Sequence, residues 1–355
     1  MSGVLSTDDG VLVAARCCIV VPTRERCEKI VRCLAALDRQ TVEGFEVVVV
    51  VDGSTDDTLQ TLRELQDDDG RRYTLRVLSH ERPQGANPAR NAAVRSSDRD
   101  VFAFLDDDCI PEPPWLERLL AGFDSPRVAA VTGLVINVER PGMPSRFLIG
   151  QHRVASKTFD GRAHAGRLVA GNMAVRRDDL PDGLSCDLTV VADDMATSAG
   201  CDEEKLYLDL RAAGREVRFV EDAVVLHDHP LDWPSFVRQA FRGGCSTAQL
   251  VRRYGLRPRY ELVALLWSVP LLLAALPCLV MGRRLPAAAL AAVGLASFGL
   301  FFAAVTYNEF ARKRKTLSQY LLSLPALLVY YAARLAGYET DRAIARIASR
   351  PSTPA

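Results

Sequence analysis

Five places in the 355-residue chain gather residue types able to do chemistry. Asp106, Asp107 and Asp108 are adjacent and directly follow the apolar run Val101–Leu105. Three neighbouring carboxylates repel one another, and a bound cation relieves that repulsion. Their hard oxygens suit Mg2+ or Mn2+, which in turn bridge phosphate oxygens. Asp52, in Val51-Asp52-Gly53-Ser54, offers a carboxylate to a base or ribose, and Gly53 admits a close backbone approach. Arg90, in Pro88-Ala89-Arg90-Asn91, carries a guanidinium fork matched to phosphate. Cys201-Asp202-Glu203-Glu204 supplies acids suited to general-base removal of a hydroxyl proton. His227, in His227-Asp228-His229, is placed to complete a metal shell. Taken singly, each also fits an ordinary role: an acidic turn, a helix cap, a solvated arginine, a complement to a helix dipole or a structural histidine.

The elements that must position these residues follow from hydrophobic patterning. Apolar runs at 17–22, 45–51, 75–78 and 101–105 read as strands. Ile30, Val31, Leu34 and Leu37 have helical spacing, which predicts a helix over 28–37. Further helices are predicted from about residue 57, capped by Ser54 or Thr55, and over 88–94. This alternation argues an α/β domain with a largely parallel sheet, whose ligands bind beyond the carboxyl ends of the strands. Thr23-Arg24-Glu25, Asp52-Gly53-Ser54 and Asp106-Asp107-Asp108 would then line one sheet edge. Downstream, strand is predicted over 128–138, loop over 141–165, and an extended segment over 168–175 that encloses Gly171 and Asn172. A helix over 202–213 ends at Gly214, and strands over 216–220 and 223–226 lead into His227.

Lys plus Arg and Asp plus Glu both number 44, so the chain has no general attraction to nucleic acid, and no nucleic-acid partner is expected. Acids are concentrated before residue 230, and apolar content rises sharply after 260. Stretches 261–281, 285–305 and 317–337 each approach the roughly 20 apolar residues that cross a bilayer. Arg252, Arg253, Arg257 and Arg259 precede the first stretch, and Arg312-Lys313-Arg314-Lys315 precede the third. The larger basic clusters predict cytoplasmic loops, and so a multi-pass cell-membrane protein with its N-terminal domain in the cytosol. Two spans satisfy this arrangement, and the third stretch either crosses or lies at the interface. The nine cysteines form no CxxC and read as reduced thiols, and the N-terminus lacks the features of a signal peptide. The expected organisation is a flexible segment 1–14, a catalytic domain 15–245, a basic juxtamembrane linker 246–260, a membrane region 261–337 with two or three helices, and a tail 338–355.

The sequence resembles the family 2 glycosyltransferases of the GT-A fold. The run from Ile19 to Arg26 looks like their first strand and nucleotide loop, and VVVVVDGSTDDT at 47–58 is similar to their second-strand signature. Ala89-Arg90-Asn91 matches the segment ahead of the metal motif, and FLDDDCIP at 104–111 matches the DxD region. Gly171-Asn172 resembles the acceptor-side segment. Asp202-Glu203 falls where the family has Glu-Asp, with the order reversed. Gln239-Ala240-Phe241-Arg242-Gly243 partly matches the QxxRW motif, with Gly in place of Trp.

The resemblance implies a GT-A fold followed by C-terminal transmembrane helices. It also implies inverting, metal-dependent transfer of a hexosyl group from a nucleoside-diphosphate sugar, with Mn2+ or Mg2+. The acceptor would be a hydroxyl or phosphate on a lipid-linked molecule or a cell-envelope glycan. Pro22, Thr23, Glu25, Asp52, Arg90, Asp106 and Asp107 would bind the donor; Asp108 and His227 would bind the metal. Gly171, Asn172, Gln239 and Arg242 would face the acceptor, and Glu203 or Asp202 would be the base. A nucleotidyltransferase is the nearest alternative, disfavoured because no Gly follows the first strand between Pro22 and Arg26. A non-catalytic membrane scaffold is another, disfavoured by the acids at 106–108 and 202–204.

Overall fold

The computed structural model describes residues 14–68, 70–138, 156–157, 163–164, 168–180, 183–184, 189–190, 197–198, 202–228, 232–255, 260–307 and 317–348. The chain divides into two compact units, one of Met1–Glu139 with Gln151–Pro230 and one of Arg140–Gly150 with Leu231–Ala355.

The first unit opens with alternating strands and helices: β1 (Cys17–Thr23), α1 (Cys27–Leu37), β2 (Glu46–Asp52), α2 (Thr58–Gln66), β3 (Thr74–His80), α3 (Ala86–Ser96) and β4 (Val101–Leu105). These strands lie parallel in the order β3-β2-β1-β4. Then come β5 (Cys109–Pro111), α4 (Trp115–Ala121), β6 (Val128–Asn137), β7 (Ser156–Lys157), β8 (Ala163–His164), β9 (Asn172–Arg176), β10 (Thr189–Val190), β11 (Thr197–Ser198), α5 (Asp202–Ala212) and β12 (Glu216–His227). The sheet continues through β9, β6, β12, β8 and β7, with β5 paired to β12. β9 runs antiparallel to both β4 and β6, which makes the mainly parallel sheet mixed.

The central strands read as unbroken apolar runs because both faces are covered. Ile19, Val21, Val47 and Val49 pack with Leu34, Leu62 and Trp115 in one cluster. Their alternates Cys18, Val20, Val48 and Val50 pack with Ala89, Ala93, Phe102 and Phe104 in the other. Period-two alternation thus sends successive residues of one strand to opposite cores. Emptying one of these positions, as in Phe104→Ala, would cost about 3–5 kcal/mol.

Two local expectations are corrected. Ser54 and Thr55 do not cap α2, whose N-cap is Asp57 without a side-chain cap bond. Both hydroxyls instead bind Glu25: Glu25 N donates to Ser54 Oγ at 3.0 Å, and Thr55 Oγ1 donates to Glu25 Oε1 at 3.0 Å. The segments 216–220 and 223–226 are one strand, β12, interrupted by a bulge between Val220 and Val224. The intervening Glu221 and Asp222 are exposed, which hid the continuity.

The second unit contains α6 (Trp233–Tyr254), α7 (Tyr260–Val280), α8 (Arg284–Tyr307) and α9 (Leu317–Ala348). Asp232 caps α6 by accepting a bond from Ser235 N at 2.7 Å, and Gly255 ends the helix with φ +63°. Residues 246–254, expected as linker, therefore continue a 22-residue helix. α6 lies against α9 at small residues: a Cβ on Gly244 would fall 2.0 Å from Arg334 O, and one on Gly337 2.0 Å from Phe241 O. Arg334 Nη2 donates to Thr247 Oγ1 at 2.8 Å, and Gln249 Nε2 donates to Asp341 Oδ1 at 2.9 Å. Among the described residues, Arg284–Tyr307 and Tyr320–Ala345 are long and apolar enough to cross a membrane. α7 matches the first apolar stretch and contains Pro270 and Pro277. The helix of the third stretch runs eleven residues past 337, to Ala348.

Candidate active site

The carboxyl ends of β1, β4 and β12 bring their polar residues together. Thr23 closes β1, the acids at 106–108 follow β4, and His227 closes β12 opposite Cys109 of β5. Asp107 is 4 % exposed; it accepts a bond from Thr23 Oγ1 at 2.8 Å and one from Arg26 Nη1 at 2.8 Å. Burial pushes its carboxyl pKa up, Arg26 opposes that, and the neighbouring Asp108 charge adds to it.

Asp108 is 5 % exposed and sits among three basic groups. Arg26 Nη1 is 3.2 Å from Asp108 Oδ2, Lys29 Nζ is 3.6 Å from the same oxygen, and His227 Nε2 is 3.2 Å from Oδ1. Its main-chain carbonyl accepts a bond from Asp228 N at 2.8 Å, which fastens the acidic turn to the end of β12. His227 Nδ1 lies 2.9 Å from Asn137 Oδ1, which orients the ring with Nε2 toward Asp108. Burial works to lower the His227 pKa, but the Asp108 hydrogen bond and charge outweigh it and the net shift is upward.

Asp106 belongs to a separate pairing. Arg90 Nη2 donates to Asp106 Oδ1 at 2.6 Å, and Arg90 Nη1 donates to Asn87 Oδ1 at 2.8 Å. The Arg90 side chain is 8 % exposed and Asp106 34 %, so the acid is the accessible member. Gly171 packs against this pair: a Cβ there would meet Asp106 Oδ2 at 2.9 Å.

Asp52 and Asn172 have their polar atoms engaged within the chain. Asp52 accepts from Gln84 N at 2.9 Å, from Gly85 N at 2.7 Å and from His80 Nδ1 at 2.7 Å. These bonds fix the loop that starts α3, the helix bearing Arg90. Gly53, at φ +65°, lets that loop approach; a Cβ there would lie 2.5 Å from Pro83 N. Asn172 is fully buried; its Oδ1 accepts from Trp115 Nε1 at 2.8 Å, and its Nδ2 donates to Leu134 O and Ala223 O, both at 3.0 Å. Glu25, at φ +52°, accepts from Thr55 N at 2.8 Å and ties the loop after β1 to the loop after β2. Pro22, half-buried, pairs in register with Val50 one residue before Thr23.

Asp202 and Glu203 occupy the first turn of α5. Leu206 and Leu210, one helical turn apart, bury in the cluster that holds Phe104 and Met173, so α5 is anchored on the face behind the acidic strand. Gln239 and Arg242 lie on α6, in the second unit.

Sequence reasoning missed Arg26, Lys29, Trp115, Asn137 and Asp228. Arg26 and Lys29 carried a signal, since cations three apart around a helix start project to one side. Asn137 and Trp115 carried none, because their partners are far away in the chain.

The donor set fits a hard divalent cation. Asp108, Cys109 and His227 present ligand atoms within 4.8 Å of one another. Cys109 Sγ is buried and soft, a poorer match for a hard cation than a carboxylate oxygen. The oxygen and nitrogen donors that remain, beside two further carboxylates, suit Mn2+ and, with more oxygen or water ligands, Mg2+.

The family model described as glycosyl transferase family 2 matches residues 18–180, and that described as glycosyl transferase family group 2 matches residues 101–335. The pre-mycofactocin glycosyltransferase of Mycobacterium tuberculosis is 28 % identical over 243 residues, covering 66 % of this chain and 47 % of that protein. The glucosyl-dolichyl phosphate glucuronosyltransferase of Haloferax volcanii is 30 % identical over 113 residues, covering 32 % of this chain and 35 % of that protein. The chain thus spans less than half the length of these relatives. Among solved structures, the mannosyltransferase PcManGT from Pyrobaculum calidifontis, in complex with GDP-Man and Mn2+, aligns with a TM-score of 0.54 at 18 % identity. That alignment covers 92 % of this chain and 87 % of that one, and it shows the shared GT-A fold. Since the family group 2 model takes in well over half of the chain, including the acidic turn after β4 and the end of β12, the chain belongs to glycosyl transferase family 2.

Proposed function

We propose that the protein is a metal-assisted, inverting hexosyltransferase that moves a sugar from a nucleoside-diphosphate sugar to a lipid-linked or cell-envelope acceptor at the membrane. The observation that carries the reading is the meeting of Asp106, Asp107 and Asp108 with Arg26, Arg90 and His227 at one sheet edge. A diphosphate needs cations and a metal needs carboxylates, and both sets meet at that edge from separate segments of the chain.

In this reading Asp108 and His227 hold Mn2+ or Mg2+, with Asn137 orienting the imidazole. The bound cation would offset charge that develops on the leaving diphosphate. Asp106, steadied by Arg90, faces the donor, and Asp107 stiffens the turn through Thr23. Asp52 and Glu25 shape the nucleotide-side loops through their backbone bonds, and Pro22 and Thr23 border that side. Asn172 braces Gly171 beside Asp106 and reaches the acceptor only through that placement. Glu203 or Asp202 takes the acceptor hydroxyl proton as the sugar carbon is attacked from the face opposite the diphosphate. Gln239 and Arg242 are assigned to the acceptor side. The helices that suit a bilayer support a lipid-linked acceptor, because confinement beside the site raises its effective concentration. The basic clusters around them support a cytosolic catalytic domain in a multi-pass cell-membrane protein.

Purified full-length protein incubated with Mn2+, a polyprenyl phosphate and a panel of nucleoside-diphosphate sugars tests this. Release of nucleoside diphosphate is the expected result. Pyrophosphate release would instead indicate nucleotidyl transfer, and release of neither would indicate a scaffold.

A further inference from the structure

The acidic turn is already neutralised by the chain's own cations, and one of them is built to leave. Arg26 Nη1 binds Asp107 Oδ1 at 2.8 Å and Asp108 Oδ2 at 3.2 Å. Arg26 stands at the start of α1 without a side-chain capping bond, and its side chain is 40 % exposed. Arg90 is the contrast: 8 % exposed and held by Asn87 as well as Asp106. His227 stands on the Oδ1 side of Asp108 and Arg26 on the Oδ2 side, so a dication between Asp108 and His227 and a guanidinium on the same carboxylate would repel each other at close range. That repulsion would favour movement of Arg26 away from the acids, and its 40 % exposure leaves room for it.

We infer that Arg26 is a donor-binding residue that exchanges partners, from the Asp107–Asp108 carboxylates in the metal-free protein to the donor diphosphate when a divalent cation is bound. This rests on the metal-assisted reading above. The exchange conserves charge pairing. The acids pass from a monovalent to a divalent partner, and the released guanidinium meets a planar fork of phosphate oxygens, the geometry it matches best. Lys29, with Nζ 3.6 Å from Asp108 Oδ2 and the side chain 25 % exposed, backs the same oxygen. Two consequences follow. Arg26 competes with bare metal for the acids, and it cooperates with metal once a diphosphate is present. Binding of metal and nucleotide is thereby coupled, and by linkage each strengthens the other equally.

The test is Mn2+ binding to detergent-solubilised full-length protein, read from the electron paramagnetic resonance of free Mn2+, with and without GDP or UDP. Wild type is expected to bind bare Mn2+ weakly and to bind it more tightly with nucleotide. Arg26→Gln should bind bare Mn2+ about fivefold more tightly, and the strengthening by nucleotide should shrink by a similar factor. Arg26→Lys keeps the charge and should keep the weak bare-Mn2+ binding. Wild-type affinity for bare Mn2+ in Arg26→Gln overturns the inference, as does undiminished coupling to nucleotide. So does a lysine variant that binds bare Mn2+ as tightly as the glutamine variant. Absence of Mn2+ binding by both wild type and Arg26→Gln would overturn the metal reading itself, and the exchange with it.

Discussion

Asn172 Oδ1 accepts a hydrogen bond from Trp115 Nε1 at 2.8 Å, and this buried contact joins the strand behind the acidic turn to the helix beneath it. Asn172 Nδ2 reaches Leu134 O on β6 and Ala223 O at the β12 bulge, so one amide ties three strands and a helix. Gly133 makes room for it, since a Cβ there would fall 2.2 Å from Ala223 O and 2.6 Å from Asn172 Nδ2.

Replacing Asn172 by Ala takes the partner from the buried Trp115 indole N–H and removes one hydrogen bond from each of two carbonyls. An orphaned group costs about 1–3 kcal/mol, so a loss of about 2 kcal/mol or more is expected. Thermal unfolding of the variant beside wild type measures it. A melting temperature equal to wild type would show that the amide is dispensable.

Gly171→Ala should act on activity rather than on stability. Its Cβ would crowd Asp106 Oδ2 at 2.9 Å and displace that carboxylate, whose Oδ1 pairs with Arg90. A misplacement of about 1 Å near reacting groups costs about a hundredfold, so this smaller shift should lower turnover by about tenfold. Initial-rate measurements giving unchanged turnover would remove Asp106 from the donor side.

The fold was largely legible in the sequence, and the reason is the two-sided burial of the sheet. Runs such as Val47 to Val51 have no reading other than a covered strand, and Ile30, Leu34 and Leu37 mark the face of α1 that packs on it. The antiparallel entry of β9 was not legible, because strand direction depends on where the chain returns and not on Met173 to Val175 themselves. The site was legible in its residue types and less so in their partners. Asp52 and Asn172 could be named from their residue types, but not their partners: Asp52 meets His80 and the Gln84–Gly85 backbone, and Asn172 meets Trp115, Leu134 and Ala223. A carboxylate at a strand end reads the same in sequence whether it binds a ribose or a loop. Arg26 and Lys29 were passed over because their partners lie about 80 residues away along the chain.

The choice between Asp202 and Glu203 is open to a paired comparison. Asp202→Asn and Glu203→Gln change charge with little change of shape, and removal of a general base lowers turnover by about 100- to 10,000-fold. One of the two variants should show that loss with its affinity for nucleoside diphosphate intact. If both turn over like wild type, the base is elsewhere.

The buried thiols give a pH prediction. Burial pushes Cys17 up to about 12, and it drives Cys18, Cys33 and Cys109 well above their ordinary value as well. The folded chain thus keeps thiol protons that the unfolded chain gives up from about pH 9. The unfolded state binds fewer protons, so the thiols' contribution to stability is constant below about pH 9 and falls as pH rises toward 12. Alkylation of the native protein at pH 8 should leave these four cysteines intact while Cys27, which is partly exposed, reacts. Labelling of Cys17 or Cys109 as fast as Cys27 would contradict their inert burial.

Asp108 carries the central claim, because among the described residues it is the carboxylate that meets Arg26, Lys29 and His227 together. The most direct measurement is nucleoside diphosphate release by full-length wild type and Asp108→Asn, each with Mn2+ and with EDTA, the fold being checked by circular dichroism. The account predicts Mn2+-dependent release by wild type, reduced by EDTA to background. It also predicts a loss of about a hundredfold or more in the folded variant, which no added Mn2+ restores. Equal release by the two proteins, or release by wild type that EDTA leaves untouched, would contradict it.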